Sequence, residues 1–186
     1  IGRPAVIVKR LERFGLRIPP AVAFELVNPE IDRRYRDYWQ TYPRLAARKG
    51  ITQQYAKIEM RRRLTLIGAM MMYKGEADGM LCGTFGTHGP HLTYIDQVLG
   101  RRTGANVYAA MNILMVPGRQ LALVDTMVNL DPTAEQVAEI TVLAAEQLKR
   151  LGIAPRVALV SHSNFGSSDA PSAVKMRNAL SLVRQL

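Results

Sequence analysis

The sequence is poor in cysteine, histidine and aromatic residues. Its 186 residues include one cysteine, Cys82, and three histidines, and aromatic residues make up 6% of the chain. A single cysteine excludes an internal disulfide and a cysteine-rich metal cluster, and it fits a reducing compartment. The histidines, His88, His91 and His162, show no metal-ligand spacing with an acidic residue. We therefore expect no metal site.

Long hydrophobic runs are also lacking. No segment reaches the roughly 18 to 20 consecutive apolar residues that span a bilayer, and no signal-peptide pattern opens the chain. We expect a cytoplasmic protein with no membrane partner. The chain starts at Ile1, and its last helical pattern runs to Leu186, so we interpret it as a piece of a longer polypeptide.

Positive charge is what the chain has in excess. Lysine and arginine number 25 against 15 acidic residues, which gives a formal net charge of +10. Basic surfaces attract phosphates, so nucleic acid and an anionic small ligand are both candidate partners. Much of the excess, however, is mixed with acids and lacks the interleaved aromatics of a base-stacking surface. We favour a solvated face or an oligomer contact, keep an anionic small-ligand site as an alternative, and expect no nucleic-acid partner.

Short apolar runs alternate with helical periodicity along the chain, and 48% of the residues are hydrophobic. This alternation predicts an α/β fold with a mainly parallel sheet and helices on both faces. Arg101, Arg102 and nearby glycines suggest a boundary between a first subdomain, 1–100, and a second, 101–186. The predicted strands are 23–27, 79–82, 107–116, 120–124 and 157–160; the predicted helices are 4–14, 31–50, 52–74, 92–99, 133–151 and 170–186, with 31–50 and 52–74 expected to be the longest.

Three small polar loops, 83–89, 125–131 and 161–169, follow predicted strands. Ligands bind at the carboxyl ends of strands in open α/β sheets, and hydroxyl and N–H groups at a helix N-terminus attract anions. Such loops are more often ordinary helix caps, and the first and third match neither the Walker A nor the dinucleotide-binding pattern. The candidate ligand-binding residues are Thr84, Thr87, His88, Ser161, Ser163 and Asn164.

Two other features have simpler explanations. Ser161 and His162 are adjacent in sequence, which does not by itself make a nucleophile and its base, so we assign no catalytic residue. Met70, Met71 and Met72 lie in the middle of a predicted helix, where we expect them to pack in the core.

Several motifs occur in an order that resembles phosphate acetyltransferases. They are Ala-Asp-Gly-Met at 77–80, the Gly-Thr-rich loop, Asp-Thr-Met-Val-Asn at 125–129, Pro-Thr-Ala-Glu-Gln at 132–136 and Ser-His-Ser at 161–163. The details of 82–87 and 161–166 and the Arg101-Arg102 pair are similar to the phosphotransacetylase-like tail of large bacterial hybrid malic enzymes. The resemblance covers essentially the whole chain.

The resemblance implies a phosphotransacetylase/isocitrate-dehydrogenase-like fold, here incomplete, in which two subdomains flank a cleft for CoA and acetyl phosphate. Active transferases draw a serine, an arginine and an aspartate from a later segment that is absent from this sequence. They also carry an arginine in the helix after the first loop. Aligned through Gln97, this chain has Thr93 at that position, which indicates a lost phosphate contact.

By the same resemblance, the chain is expected to be a regulatory and oligomerising domain of an NADP-dependent malic enzyme, binding acetyl-CoA or a related acyl-CoA. The parent would carry an N-terminal malic enzyme domain that converts malate to pyruvate with NADP and Mg or Mn, while this piece needs no cofactor. A homo-oligomer is implied. A working phosphate acetyltransferase and an unrelated α/β binding or structural module remain the alternatives.

Overall fold

A computed structural model describes residues 1–20, 22–83 and 85–185. The chain divides into two units, Ile1–Gly100 and Arg101–Leu186. In the described ranges, no helix has both the length and the apolar character needed to cross a membrane.

The first unit is helical. Proline at the first position of the first helix suits its fixed φ to a helix start, and Gly15 follows the helix with a φ of +63°. A 3-10 turn, Ala47–Lys49, lies in the middle of the unit. The α-helices are α1 (Pro4–Arg13), α2 (Tyr35–Leu45), α3 (Gln53–Arg62), α4 (Leu64–Tyr73) and α5 (His88–Val98).

The prediction of two long helices in this unit is wrong. The Asp32 side chain accepts a hydrogen bond from the backbone N–H of Arg34 at 2.9 Å, a local turn that delays the start of α2 to Tyr35. The predicted helix 52–74 is broken at Arg63, whose backbone is extended at φ −115° and ψ 95°. The break lets α4 turn into the core.

The core of the first unit lies between these helices. Helix α2 packs against α3, and α4 packs against α5. Gly68 lies in α4 where a Cβ atom would come within 2.5 Å of the Met80 sulfur, so the glycine allows Met80 to pack against the helix. Met71 packs partly against this core. The fully buried large side chains are Tyr38, Tyr42, Met60, Leu66 and Met70.

The second unit contains a β-hairpin and two helices. Strands β1 (Met111–Val116) and β2 (Arg119–Val124) pair antiparallel around Pro117-Gly118, which confirms the predicted strand pair with a later start for the first strand. Helix α6 (Ala134–Arg150) packs against α7 (Pro171–Val183). At 17 residues, α6 is the longest helix in the described residues.

The sheet in the described residues is limited to this hairpin. The predicted strands 23–27, 79–82 and 157–160 lie outside its ladder, so a mainly parallel sheet is not formed there. Leu81, Val157 and Val160 are exposed. Strands need hydrogen-bonding partners distant in sequence, and a hydrophobic pattern alone does not supply them.

Candidate ligand-binding loops

The first loop leads directly into α5. The helix begins at His88, earlier than the predicted residue 92, which makes Thr87 its N-cap residue. The Thr87 side chain makes no capping hydrogen bond, and both Thr87 and His88 are exposed. Thr84 lies outside the described residues. The hydroxyl of Thr87 and the first-turn N–H groups of α5 therefore share one exposed end of the helix.

His91 is a residue of this region that the sequence-based site omitted. Its Nε2 atom lies 2.9 Å from the carbonyl oxygen of Phe85, and its Nδ1 atom lies 2.6 Å from the hydroxyl oxygen of Thr65. It thus connects the first loop to α4. Tertiary packing brings Thr65 to this position, and the sequence spacing of the two residues gives no sign of it.

Thr93 occupies the position where the resemblance implies an arginine. Its side chain is exposed, and its hydroxyl donates a hydrogen bond to the carbonyl oxygen of Gly89 at 3.0 Å. The hydroxyl is turned onto its own helix and carries no charge. Thr93 therefore provides no cationic contact for a phosphate.

Two tyrosines fix α5 in the first unit. The Tyr94 hydroxyl donates to the buried carboxylate of Glu59 at 2.5 Å, and the Tyr42 hydroxyl donates to the side chain of Gln97. Burial raises the pKa of Tyr42 to about 12, and burial together with the Glu59 hydrogen bond raises the pKa of Tyr94. Both phenols stay protonated at neutral pH and can keep donating to these acceptors.

The second loop is organised around Asp125. Its carboxylate accepts hydrogen bonds from the backbone N–H groups of Ala110 at 2.9 Å and Asn129 at 2.7 Å, and from the Asn129 side chain at 2.6 Å. Burial favours a higher pKa for Asp125, but these hydrogen bonds hold the pKa below its ordinary value. These contacts hold the second loop in shape and join it to the segment just before β1.

The third loop precedes α7. Ser161 and Ser163 are half-buried, and Asn164 is exposed. The Ser163 hydroxyl accepts a hydrogen bond from the backbone N–H of Ser168 at 3.2 Å. His162 places Nδ1 3.3 Å from the hydroxyl of Ser172 and so contacts α7.

Arg177 holds the third loop against α7. Its guanidinium donates to the carbonyl oxygens of Gly166 and, at 2.6 Å, Ser168, and it reaches the Asp169 carboxylate at 3.2 Å. A Cβ atom on Gly166 would lie 3.2 Å from the Arg177 side chain, and Gly166 has a φ of +73°. The neighbouring Phe165 also has positive φ, 51°, and a fully exposed ring.

The structure thus places Thr87 and His88 at one helix end in the first unit and Ser161, Ser163 and Asn164 in one loop of the second. Arg101 and Arg102 both have partners within the second unit. Arg102 pairs with Glu146 at 2.5 Å, and the Arg101 guanidinium lies 5.7 Å from the ring centroid of Tyr108. In the described ranges, no cluster of three or more His, Cys, Asp or Glu side chains is arranged to hold a metal ion.

Comparison with known proteins shows which family the chain matches. The family model described as phosphate acetyl/butaryl transferase matches residues 1–186. The NADP-dependent malic enzyme of Escherichia coli strain K12 is 49% identical over 185 residues, and the NAD-dependent malic enzyme of Rhizobium meliloti strain 1021 is 48% identical over 186 residues. Each alignment covers all of this chain and 24% of the relative. The chain therefore spans about a quarter of these malic enzymes.

Phosphate acetyltransferases match as well. That of Corynebacterium glutamicum is 32% identical over 186 residues, which cover 100% of this chain and 55% of the relative. The EutD phosphotransacetylase from Staphylococcus aureus superposes with a TM-score of 0.82 at 23% identity, covering 99% of this chain and 54% of that one, which shows a shared fold. With the family model matching from its first residue to its last, the chain belongs to the phosphate acetyl/butaryl transferase family.

Proposed function

We propose that this chain is a phosphotransacetylase-like domain of an NADP-dependent malic enzyme, with a regulatory and oligomerising role and no acetyl-transfer activity of its own. The similarity supports a malic enzyme: the NADP-dependent enzyme of Escherichia coli and the NAD-dependent enzyme of Rhizobium meliloti match the whole chain at 49% and 48% identity, compared with 32% for the phosphate acetyltransferase of Corynebacterium glutamicum. The parent polypeptide would also carry a malic enzyme domain on the N-terminal side.

The main support for a loss of catalysis is the uncharged Thr93 at the position of the family arginine. An acetyl phosphate dianion needs positive partners in the transition state, and charge-assisted contacts are among the strongest that a protein can offer. The Thr93 hydroxyl is instead bonded to Gly89 O in α5. A site without this cation would still accept the larger acyl-CoA through contacts along the rest of the ligand.

The proposed ligand is acetyl-CoA or a related acyl-CoA. The candidate contacts are hydroxyl, amide and N–H groups at the start of α5 and in the loop before α7, where unpaired helix N–H groups favour anions. The basic composition of the chain agrees with an anionic ligand. The proposed contact residues remain Thr84, Thr87, His88, Ser161, Ser163 and Asn164.

The complete fold is part of the proposal. The EutD phosphotransacetylase superposes on 99% of this chain and has further chain beyond the matched 54%. We propose that residues 79–82 and 157–160 become strands of a mainly parallel sheet once partner strands are present, and that two subdomains then flank a ligand cleft. Exposed apolar residues in both segments support this, because buried parallel strands are apolar.

The parent would use NADP and Mg or Mn to oxidise and decarboxylate malate to pyruvate. We assign the metal and NADP to the malic enzyme domain of the parent. A homo-oligomer in the cytoplasm, where these metabolites occur, completes the proposal. Exposed apolar side chains on the hairpin, such as Ile113 and Leu114, are available for subunit contacts.

Regulation requires a difference in affinity. Acetyl-CoA can change malate oxidation only if it binds one state of the assembly more tightly than another, because equal affinity shifts no equilibrium. A tenfold difference in affinity for the two states changes their ratio by up to about tenfold.

The deciding experiment uses the complete parent protein. Malate oxidation is measured over a range of acetyl-CoA concentrations, with acetyl transfer between acetyl phosphate and CoA assayed in parallel against a known transferase. We expect malate turnover that responds to acetyl-CoA and no acetyl transfer. A deletion of the segment that corresponds to this chain, assayed as a matched control, should remove the response.

The alternative is an active phosphate acetyltransferase, which the 32% identity to the Corynebacterium glutamicum enzyme favours. Robust acetyl transfer by the parent protein would establish this alternative and show that Thr93 is compatible with catalysis. Malate turnover that does not change with the acetyl-CoA concentration would contradict the regulatory role instead.

A further inference from the structure

His91 links three parts of the first unit. It lies in the first turn of α5, its Nε2 contacts the Phe85 carbonyl oxygen at 2.9 Å, and its Nδ1 contacts the Thr65 hydroxyl at 2.6 Å. Thr65 is buried in α4. The imidazole therefore bridges α4, the backbone of the first loop and α5.

The partners determine which ring nitrogen carries hydrogen. A carbonyl oxygen only accepts, so Nε2 must donate to Phe85. In the neutral ring, Nδ1 then has a free lone pair and accepts the hydroxyl hydrogen of Thr65. Both polar ring atoms are thus used, and neither is left to act on a ligand.

The first loop depends on this bridge. Gly83 and Gly86 both have positive φ, 133° and 84°, so its backbone has wide conformational freedom when unfolded. In the part of the chain that the structure describes, the hydrogen bond to His91 is the one that ties the backbone of residues 83–87 to a side chain of another element. Removing it would release the loop from α4.

We propose that His91 is a positioning residue, which holds the loop at Phe85 in the conformation that presents Thr87 to the anionic acyl-CoA. The ligand in this statement rests on the proposed function, whereas the bridge rests on the contacts of the imidazole alone. A pre-organised loop binds without a further ordering cost, so loss of the bridge weakens binding without removing any ligand contact.

Three substitutions separate positioning from general damage. His91→Leu removes both hydrogen bonds while keeping an apolar side chain. His91→Gln keeps a donor and an acceptor on neighbouring atoms and can restore both bonds. Thr93→Val, on the same helix, removes a hydroxyl that donates to the carbonyl oxygen of Gly89 and serves as the matched control.

Amide hydrogen exchange of loop 83–87 tests the bridge without any ligand. We expect exchange about tenfold faster in His91→Leu, near wild-type exchange in His91→Gln, and no change in Thr93→Val. A ¹⁵N spectrum of the wild-type ring should report hydrogen on Nε2. Wild-type exchange in His91→Leu, or a ring with hydrogen on Nδ1 alone, would overturn the bridge.

Calorimetric titration with acetyl-CoA tests the consequence for the ligand. We expect about tenfold weaker binding by His91→Leu and binding by His91→Gln within about threefold of wild type. Unchanged affinity in a His91→Leu protein with a loosened loop would overturn the positioning role. If the wild-type protein does not bind acetyl-CoA, the proposed function fails, and the exchange experiment still decides whether His91 holds the loop.

Discussion

Asp125 shows how one carboxylate can organise a loop. Its two carboxylate oxygens accept hydrogen bonds from the backbone N–H groups of Ala110 and Asn129 and from the Asn129 side chain. Asp125→Asn replaces one of these oxygens with an NH2 group, which then faces other donors. We expect the free energy of unfolding to fall by about 1–3 kcal/mol at neutral pH. Urea unfolding followed by circular dichroism measures this. Asp131→Asn, at an exposed ion pair with Lys175, is the control and should cost less than about 1 kcal/mol.

The hydrogen bonds of Asp125 also predict that the free energy of unfolding depends on pH. The pKa of Asp125 in the folded state is lowered, since the N–H donors of Ala110 and Asn129 outweigh the effect of burial. The folded carboxyl therefore binds a proton less tightly than the unfolded one. Its stabilisation is complete above the ordinary pKa of about 4 and is lost as pH falls through the lower folded value. The difference between wild type and Asp125→Asn should shrink toward pH 3, and an unchanged difference would contradict the assignment.

Arg177 is a second residue whose effect is local. Arg177→Met keeps most of the side-chain length but removes its hydrogen bonds to Gly166, Ser168 and Asp169. We expect amide exchange in residues 163–169 to become about tenfold faster, because the loop loses its link to α7. Arg184→Met, at the end of the same helix, should leave this exchange unchanged. Equal effects of the two substitutions would mean that charge in general, and not this contact, holds the loop.

Helix α6 owes its start to a capping box. The Thr133 hydroxyl accepts from the backbone N–H of Gln136 at 3.3 Å, and the Gln136 side chain accepts from the backbone N–H of Thr133 at 2.9 Å. Thr133→Ala should lower the free energy of unfolding by about 1 kcal/mol. Thr133→Ser keeps the hydroxyl and should recover most of the loss, as measured by urea unfolding. A loss of equal size in both variants would assign the effect to the methyl group.

The helix at 133–151 could be predicted because its signals are local: a capping box, one apolar face and a glycine after the end. The break at Arg63 could not, since the periodicity continues across it and the bend depends on how α4 packs. Strands 79–82 and 157–160 were predicted from apolar runs, but a strand also needs a partner, and none pairs with them in the described residues.

The candidate site, like the fold, could be predicted only in part from the sequence. Small polar loops before helices were visible in the sequence, as was the threonine at the position of the family arginine. The roles of His91 and Arg177 were not visible, because each depends on contacts made only when the chain folds. Whether Thr87, His88, Ser161, Ser163 and Asn164 bind a ligand remains a prediction.

The hairpin of the second unit exposes apolar side chains. Strand residues Ile113, Leu114, Met115, Leu121 and Leu123 are exposed, and they lie on both faces of the hairpin. A ribbon that is apolar on both faces is typical of a sheet covered on both sides. The relatives and the EutD phosphotransacetylase extend beyond the matched region, which agrees with the proposal that further elements complete the sheet.

We predict that several groups required for acetyl transfer are missing from the site, so one substitution should not restore the activity. Thr93 is exposed on α5, and Thr93→Arg should fold with a change in unfolding free energy within about 0.5 kcal/mol. Placed in the complete parent protein, it restores one positive charge but none of the other groups that transfer requires. We expect no thioester formation from acetyl phosphate and CoA.

The matched control for Thr93→Arg is the reverse change, Arg→Thr, at the equivalent position of an active phosphate acetyltransferase. That enzyme should lose activity by about a hundredfold or more, as expected when a charged transition-state contact is removed. Strong loss in the control together with no gain in Thr93→Arg would place the missing chemistry in several groups at once. Turnover by Thr93→Arg would show instead that the rest of the transferase site is intact, and that a single side chain separates a ligand-sensing domain from an enzyme.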